Sequence, residues 1–244
     1  MERTPEYDQR VERDMRNRQA ENFEKWYIQD KGVWYHKVEV DSIISALTCT
    51  KDDIILDAGS GTGRISLLIA PRVAHLICVD FSIKSLSFLR HKLPPDLRTK
   101  VYCIAADLSN LAVQQIRFSK IVSIKAIQHV PSRDKRLAVL RSLHCLLKDR
   151  GYLVFTVFRW GGAVWENKEG YYVEKLYRYA FEPEEIKVLV KEAGFDKISV
   201  RPLIVQHLRL QRFGLWSTYI DRALARFLNP KRFGQFLLVT ARKA

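Results

Sequence analysis

Signatures of metal, disulfide and membrane chemistry are missing from this sequence. Its four cysteines, Cys49, Cys78, Cys103 and Cys145, are widely spaced and form no C-x-x-C pair, and its six histidines form no H-x-x-x-H or H-E-x-x-H pattern. Cys78 and Cys103 lie inside apolar strand-like runs, where a thiol behaves as a small buried hydrophobe, so neither a disulfide framework nor a metal site is expected. No apolar run approaches the ~18 residues needed to span a bilayer. The first thirty residues are highly charged and lack the apolar core of a secretory signal. Internal repeats and low-complexity linkers are lacking too. These absences point to a metal-free cytoplasmic protein, and 47% hydrophobic composition suffices for one full core.

Acidic charge is also scarce, with 27 Asp and Glu against 41 Lys and Arg and a net charge of +14. The excess is uneven. Residues 51–150 carry +9 and residues 195–244 carry +8, whereas residues 1–50 carry −2 and residues 151–194 carry −1. Such a balance suits RNA, an anionic membrane surface or an acidic substrate, and does not choose among them.

What is present concentrates in IILDAGSGTGRIS, Ile54 to Ser66. A strand-like run enters a turn with glycine at 59, 61 and 63, and a helical pattern follows. Glycine there lets the backbone turn sharply and approach a ligand, while the helix start directs its free N–H groups at the turn. The dinucleotide fingerprint G-x-G-x-x-G would need glycine at 64, where the chain has Arg64, and the phosphate-cradling G-x-x-x-x-G-K-[ST] is absent. The pattern that remains is D-x-G-x-G-x-G, beginning at Asp57.

Beyond the turn, strand and helix patterns alternate, which predicts a mostly parallel sheet covered on both faces. Strands are expected at Ile54–Ala58, His75–Asp80, Val101–Ala106, Lys120–Ile124, Gly151–Phe158, Lys197–Val205 and Gly234–Ala241. Helices are expected around Tyr7–Tyr27, Gly63–Ala70, Ile83–His91, Leu108–Ile116, Arg133–Leu147 and Pro183–Ala193. Asp80 ends the second strand, 21 residues after Gly59, where a carboxylate can accept both ribose hydroxyls. Asp107 ends the third. Each aspartate alone would more often be a helix N-cap, since each precedes a helical pattern.

The D-x-G-x-G-x-G turn and the two strand-end aspartates resemble the class I S-adenosylmethionine-dependent methyltransferases. The resemblance covers roughly residues 33–244 in pattern and far less in specific motifs. It implies an α/β, Rossmann-like fold with a seven-stranded, mostly parallel sheet whose last strand is antiparallel, and S-adenosylmethionine as cofactor. It implies cofactor contacts from Asp57, Gly59, Ser60, Gly61, Thr62 and Gly63, then Asp80 and Phe81, then Ala106, Asp107 and Leu108, and finally Lys125. The chain departs from the family at Lys120, where many members begin the fourth strand with aspartate. His129 is the candidate general base, since imidazole titrates near neutrality. It could instead satisfy backbone groups before Pro131, and Gln128 could orient a substrate.

The residues divide into an N-terminal helical cover, 1–50, and a methyltransferase domain, 51–244, with lid segments at 159–181 and 208–231. The first segment is aromatic, with Trp160, Trp165, Tyr171, Tyr172, Tyr177 and Tyr179. The second places Leu215, Trp216, Tyr219, Ile220, Ala223, Leu224, Phe227 and Leu228 on one helical face, opposite Asp221, Arg222 and Arg226. Such a helix most often packs on its own core; the alternatives are that it caps an apolar pocket or lies on a membrane surface. Trp26, Tyr27, Trp34 and Tyr35 are expected to close the cleft from the other side.

The function expected is methylation of a small, largely apolar or aromatic molecule on oxygen, carbon or nitrogen. The C-terminal segments look like the small-molecule, quinone and lipid branches of the family. An RNA-modifying methyltransferase is the alternative suggested by charge. However, no RNA-binding module is visible, the [DNS]-P-P-[YFW] signature is missing after the fourth strand, and no cysteine sits where a pyrimidine-C5 enzyme needs its nucleophile. A non-catalytic cofactor-binding protein is the third reading, against which the intact Asp57, Asp80 and glycines speak.

Overall fold

The protein is described from a computed structural model, covering residues 9–27, 30–108, 111, 116–162, 167–172, 176–205 and 214–244. Two helices, α1 (Gln9–Tyr27) and α2 (Asp30–Leu47), precede the first strand. Then follow β1 (Ile54–Ala58), α3 (Ser66–Ile69), β2 (His75–Asp80), α4 (Ile83–Lys92), β3 (Val101–Ala105) and β4 (Phe118–Ile124). The second half contains α5 (Arg133–Leu146), β5 (Leu147–Phe158), a hairpin of β6 (Glu169–Tyr172) and β7 (Leu176–Tyr179), α6 (Pro183–Glu192), β8 (Asp196–Leu203), α7 (Trp216–Leu224) and β9 (Phe236–Arg242).

Seven strands form one sheet in the order β3-β2-β1-β4-β5-β9-β8. The first five are parallel, and β9 runs antiparallel to both β5 and β8. Because strands alternate their side chains, each central strand feeds two cores. Leu56, Ile77, Val79, Ile121, Leu153 and Phe155 point to one face, against Leu140, Leu143, Ile186 and Leu189 of α5 and α6. Ile55, Leu76, Cys78, Val122 and Val154 point to the other, against Val38, Ile43, Ile69, Leu86 and Leu89 of α2, α3 and α4. The strand order reverses between β1 and β4, and this switch point opens a crevice at the strands' carboxyl ends.

Helix starts follow local chemistry. Ser82 accepts a hydrogen bond from Ser85 N (3.1 Å) at the start of α4. Glu182 and Glu185 form a capping box around Pro183, a residue whose fixed φ suits the first helical position of α6. Lys120 stands toward the amino end of the central strand β4, away from the crevice at the carboxyl ends. Its Nζ bonds Asp53 Oδ2 (2.5 Å) and Thr48 O (2.9 Å), so the departure from aspartate there serves a buried ion pair joining β4 to the α2–β1 connection.

Two features differ from the sequence expectation. The aromatic segment after β5 contains the antiparallel β6–β7 hairpin, whose alternating pattern is too short to read as strands. Helix α7 turns its polar strip inward, with Ser217, Thr218 and Asp221 buried, and leaves Trp216, Tyr219 and Ile220 exposed, rather than packing its apolar face on the core. The reason is polar partners on α2, where Trp34 Nε1 donates to Ser217 Oγ (2.7 Å) and Asp41 accepts from Arg222 (3.2 Å). Most of the helix expected at Leu108–Ile116, together with Trp165, lies outside the described residues. Among the described residues no helix is long and apolar enough to cross a membrane.

Candidate active site

The turn after β1 is pinned to β2 from both sides. Gly59 N and Ser60 N donate to Val79 O (2.8 and 3.0 Å), and Asp80 Oδ2 accepts from Gly61 N (2.8 Å). Gly59 and Gly63 adopt φ of +82° and +85°. A Cβ on Gly59 would meet Ala126 Cβ at 2.5 Å, and one on Gly63 would meet Leu89 Cδ1 at 2.1 Å. Gly61, at φ +53°, has no atom within 4 Å of its would-be Cβ and faces open space.

That space is a cavity of about 670 Å³. Its walls include Asp57, Gly59, Ser60, Gly61 and Thr62 from the turn, Asp80 and Phe81 after β2, and Ala106, Asp107 and Leu108 after β3. Lys125 and His129, after β4, complete the set of sequence-derived residues that line it. Gly63 is the exception, lying beneath the turn against Leu89.

Charges in and under the cavity are arranged with care. Asp57 is buried and accepts from Ser66 Oγ (2.6 Å); burial, with Asp80 nearby, pushes its carboxyl up to about 7 despite that bond. Burial also raises Asp80, partly offset by hydrogen bonds from Ser82 N and Gly61 N. His129 Nδ1 donates to Tyr177 O (2.6 Å), which leaves Nε2 as the acceptor nitrogen. Burial, with the nearby Arg16 charge, holds this imidazole well below its ordinary value, so it is neutral at physiological pH. Gln128 is fixed by its own bonds: Oε1 accepts from Phe158 N (2.9 Å) and Nε2 reaches His129 Nε2 (3.3 Å).

Several residues in the wall or behind it carried no local sequence signal. Glu12 and Arg16, from α1, line the cavity, 3.0 Å apart. Glu12 Oε2 also accepts from Tyr177 N (3.1 Å), tying α1 to the hairpin. Glu39 of α2 lies buried between Arg64 (2.6 Å) and Lys125 (2.9 Å). Burial alone would raise its carboxyl, but the two cations outweigh this and hold it below the usual range. Arg159, also buried, donates to Gly234 O (2.6 Å), Lys231 O (3.1 Å) and Gly161 O (2.9 Å), and so joins the start of one insertion to the end of the other. The described part of segment 208–231 lines no part of this cavity.

Comparison with known proteins agrees with this geometry. Residues 55–151 match the family described as methyltransferase domain. The malonyl-[acyl-carrier protein] O-methyltransferase of Marinomonas sp. (strain MWYL1) is 23% identical over 211 residues, covering 84% of this chain and 72% of that protein. The magnesium-protoporphyrin O-methyltransferase of Rhodobacter capsulatus is 31% identical over 80 residues, about a third of each chain (33% and 35%). A solved S-adenosylmethionine-dependent methyltransferase from Thermotoga maritima shares the fold with a TM-score of 0.64 at 19% identity, covering 95% of this chain and 99% of that one. The CcbJ methyltransferase from Streptomyces caelestis does so with a TM-score of 0.68 at 15% identity, covering 93% and 96%. The matched domain defines the class of protein as a methyltransferase. More particularly, the chain shares its fold, at low sequence identity, with solved S-adenosylmethionine-dependent methyltransferases.

Proposed function

We propose that this chain methylates a small, largely apolar or aromatic molecule on oxygen. The observation that carries the reading is the far end of the cavity, where Ile124, Val130, Pro131, Ala138 and Phe158 make an apolar lining beside neutral His129. The whole cavity, mostly apolar in its lining, lies within the ~300–1,000 Å³ of typical ligand pockets, and the part left beyond the glycine turn suits a small acceptor. The names of the curated relatives, O-methyltransferases of malonyl-[acyl-carrier protein], magnesium-protoporphyrin and ubiquinone biosynthesis, favour oxygen.

The residues around the glycine turn fit the methyl donor. Gly61 presents bare backbone to the cavity, and Ser60 Oγ is buried with no hydrogen-bond partner among the described residues. A polar ligand group there would satisfy it. Asp80 would hold the ribose hydroxyls, Asp107 the adenine amino group, and Phe81, Ala106 and Leu108 the ring faces. Asp57 and Lys125 would flank the methionine portion, with Gly59, Thr62 and Gly63 shaping the turn beneath it. When bound, S-adenosylmethionine supplies an already electrophilic methyl group, so the protein's task is alignment and exclusion of water. Helices α1 and α2 act as the N-terminal cover in this reading, α1 closing the cavity through Glu12 and Arg16. The segment from Arg159 through the hairpin supports His129 through Tyr177.

His129 is proposed to accept the proton of the acceptor's hydroxyl at Nε2, its tautomer fixed by Tyr177 O, with that hydroxyl taking the place of Gln128 Nε2 on the ring nitrogen. Its depressed pKa keeps the base form populated through neutral pH, so turnover should show no histidine-like fall there. His129→Ala should lower kcat by about 100-fold while leaving calorimetric affinity for S-adenosylhomocysteine unchanged; undiminished turnover would make the histidine structural. The acceptor class is tested by offering labelled S-adenosylmethionine with phenols, small carboxylic acids and bulk RNA. Label in ester or ether products supports the proposal, and label in RNA overturns it.

A further inference from the structure

Helix α7 is amphipathic and is mounted with its apolar side outward. Ser217, Thr218 and Asp221 are buried, while Trp216 is 81% exposed and Phe227, in the turn that follows, 86%. Leu215, Tyr219, Ile220, Leu224 and Phe233 are exposed beside them. This orientation is held from beneath by the Trp34–Ser217 and Asp41–Arg222 bonds, so the apolar face is a fixed surface of the fold.

Its surroundings are cationic. From residue 214 to residue 233 the chain carries Arg222, Arg226, Lys231 and Arg232, and the sole acid, Asp221, is buried. Arg226, Lys231 and Arg232 are exposed. On the α2 side, Tyr219 and Arg222 border a shallow cleft that also contains Lys37 and Arg72 and a single acid, Asp41. Aromatic rings with a polar atom, set in a border of arginine and lysine, match the interface of a bilayer with anionic headgroups. A second copy of the chain fits poorly, because a two-fold contact through this face would set its cations against each other.

We propose that this face seats the protein on an anionic lipid surface. Trp216, Tyr219, Ile220 and Phe227 enter the headgroup–acyl boundary, and Arg226 and Arg232 engage lipid phosphates, while Lys231 beside them pairs with Glu184 (3.4 Å). The inference does not depend on the acceptor read above, and its test needs no turnover.

The test is co-flotation of the full chain with vesicles of phosphatidylcholine alone and of phosphatidylcholine mixed with phosphatidylglycerol. The mixed vesicles should bind at least about tenfold more tightly, and added salt should weaken that binding. Trp216→Ser with Phe227→Ser should lose about tenfold or more in vesicle affinity. Arg226→Glu with Arg232→Glu should abolish the preference for phosphatidylglycerol. All four side chains are exposed, so each variant should keep its circular dichroism and its affinity for S-adenosylhomocysteine. Equal binding to both vesicle types, or undiminished binding by the serine variant, overturns the proposal. So does a concentration-dependent dimer in gel filtration that the serine variant abolishes while vesicles bind neither form.

Discussion

The two ends of the cavity are built in opposite ways. The end at the glycine turn is made of backbone and carboxylates drawn from the tips of three neighbouring parallel strands, β1, β2 and β3. The other end is made of side chains from α1, the segment after β4, α5 and β5, held in place by contacts such as Glu12 to Tyr177 N and His129 to Tyr177 O. The first is short-range in sequence and tolerates little change. The second is long-range, and each contact in it can vary without unmaking the sheet. A class of enzyme can keep one donor and change acceptors on this plan.

The strictness of the turn can be broken most violently at Gly63. A valine there would place its Cβ against Leu89 at a left-handed φ, and the folded state should lose about 4 kcal/mol or more. Urea denaturation would measure it. Gly61→Ala is the matched control. It faces open space, so it should cost only about 1–2 kcal/mol for the backbone conformation and should instead weaken S-adenosylhomocysteine binding, because the new methyl enters the cavity. Equal destabilisation by the two would refute the distinction between a glycine needed for packing and one needed for the ligand.

Glu39 joins the two ends, since it pairs with Arg64 beside the turn and Lys125 after β4. Glu39→Gln leaves two cations facing each other without their shared carboxylate and should cost about 3 kcal/mol. A double-mutant cycle with Arg64→Met should recover part of this, because one of the stranded charges is then gone.

Asp57 offers a change of opposite sign. Its carboxyl is raised to about 7 in the folded protein by burial, against ~3.9 in the unfolded chain. Its stabilising contribution is therefore whole below ~4 and is lost as pH rises toward 7. Asp57→Asn should raise stability at neutral pH by about 1–2 kcal/mol and at the same time reduce cofactor affinity, a trade of stability for function. Thermal melts with and without S-adenosylhomocysteine would show both effects.

Legibility follows the same division. The alternation of strands and helices and the turn with Asp57 and Asp80 could be read because each is encoded within a few residues, and the observed strands lie within a few residues of those expected. Glu12, Arg16 and Glu39 could not, since their meaning arises only when helices far away in sequence are laid over the crevice. Arg159 reads as one more surface cation until Gly234 and Lys231 are brought beside it. The face of α7 misled because amphipathicity says which sides differ, and only the partners on α2 decide which side is buried.

His36 yields the smallest expected effect and probes the joint between α2 and the turn. Its Nδ1 accepts from Arg64 Nη1 (2.9 Å), an arrangement that requires the neutral imidazole. Burial first and the Arg64 charge second lower its pKa to about 4, while Glu39 and Asp41 pull the other way and Lys125 adds to the lowering. The unfolded chain, with histidine near ~6.5, therefore binds more protons between these values. Stability should be full above 6.5 and decline as pH falls toward 4, with no further loss from this group below that. The ring is partly exposed, so solvent screening makes the decline modest. Replacing His36 with Gln, which can still accept from Arg64, should flatten this limb of the stability–pH curve without altering its neutral plateau. An unchanged acid limb would show that α2 is held to the turn by Glu39 alone.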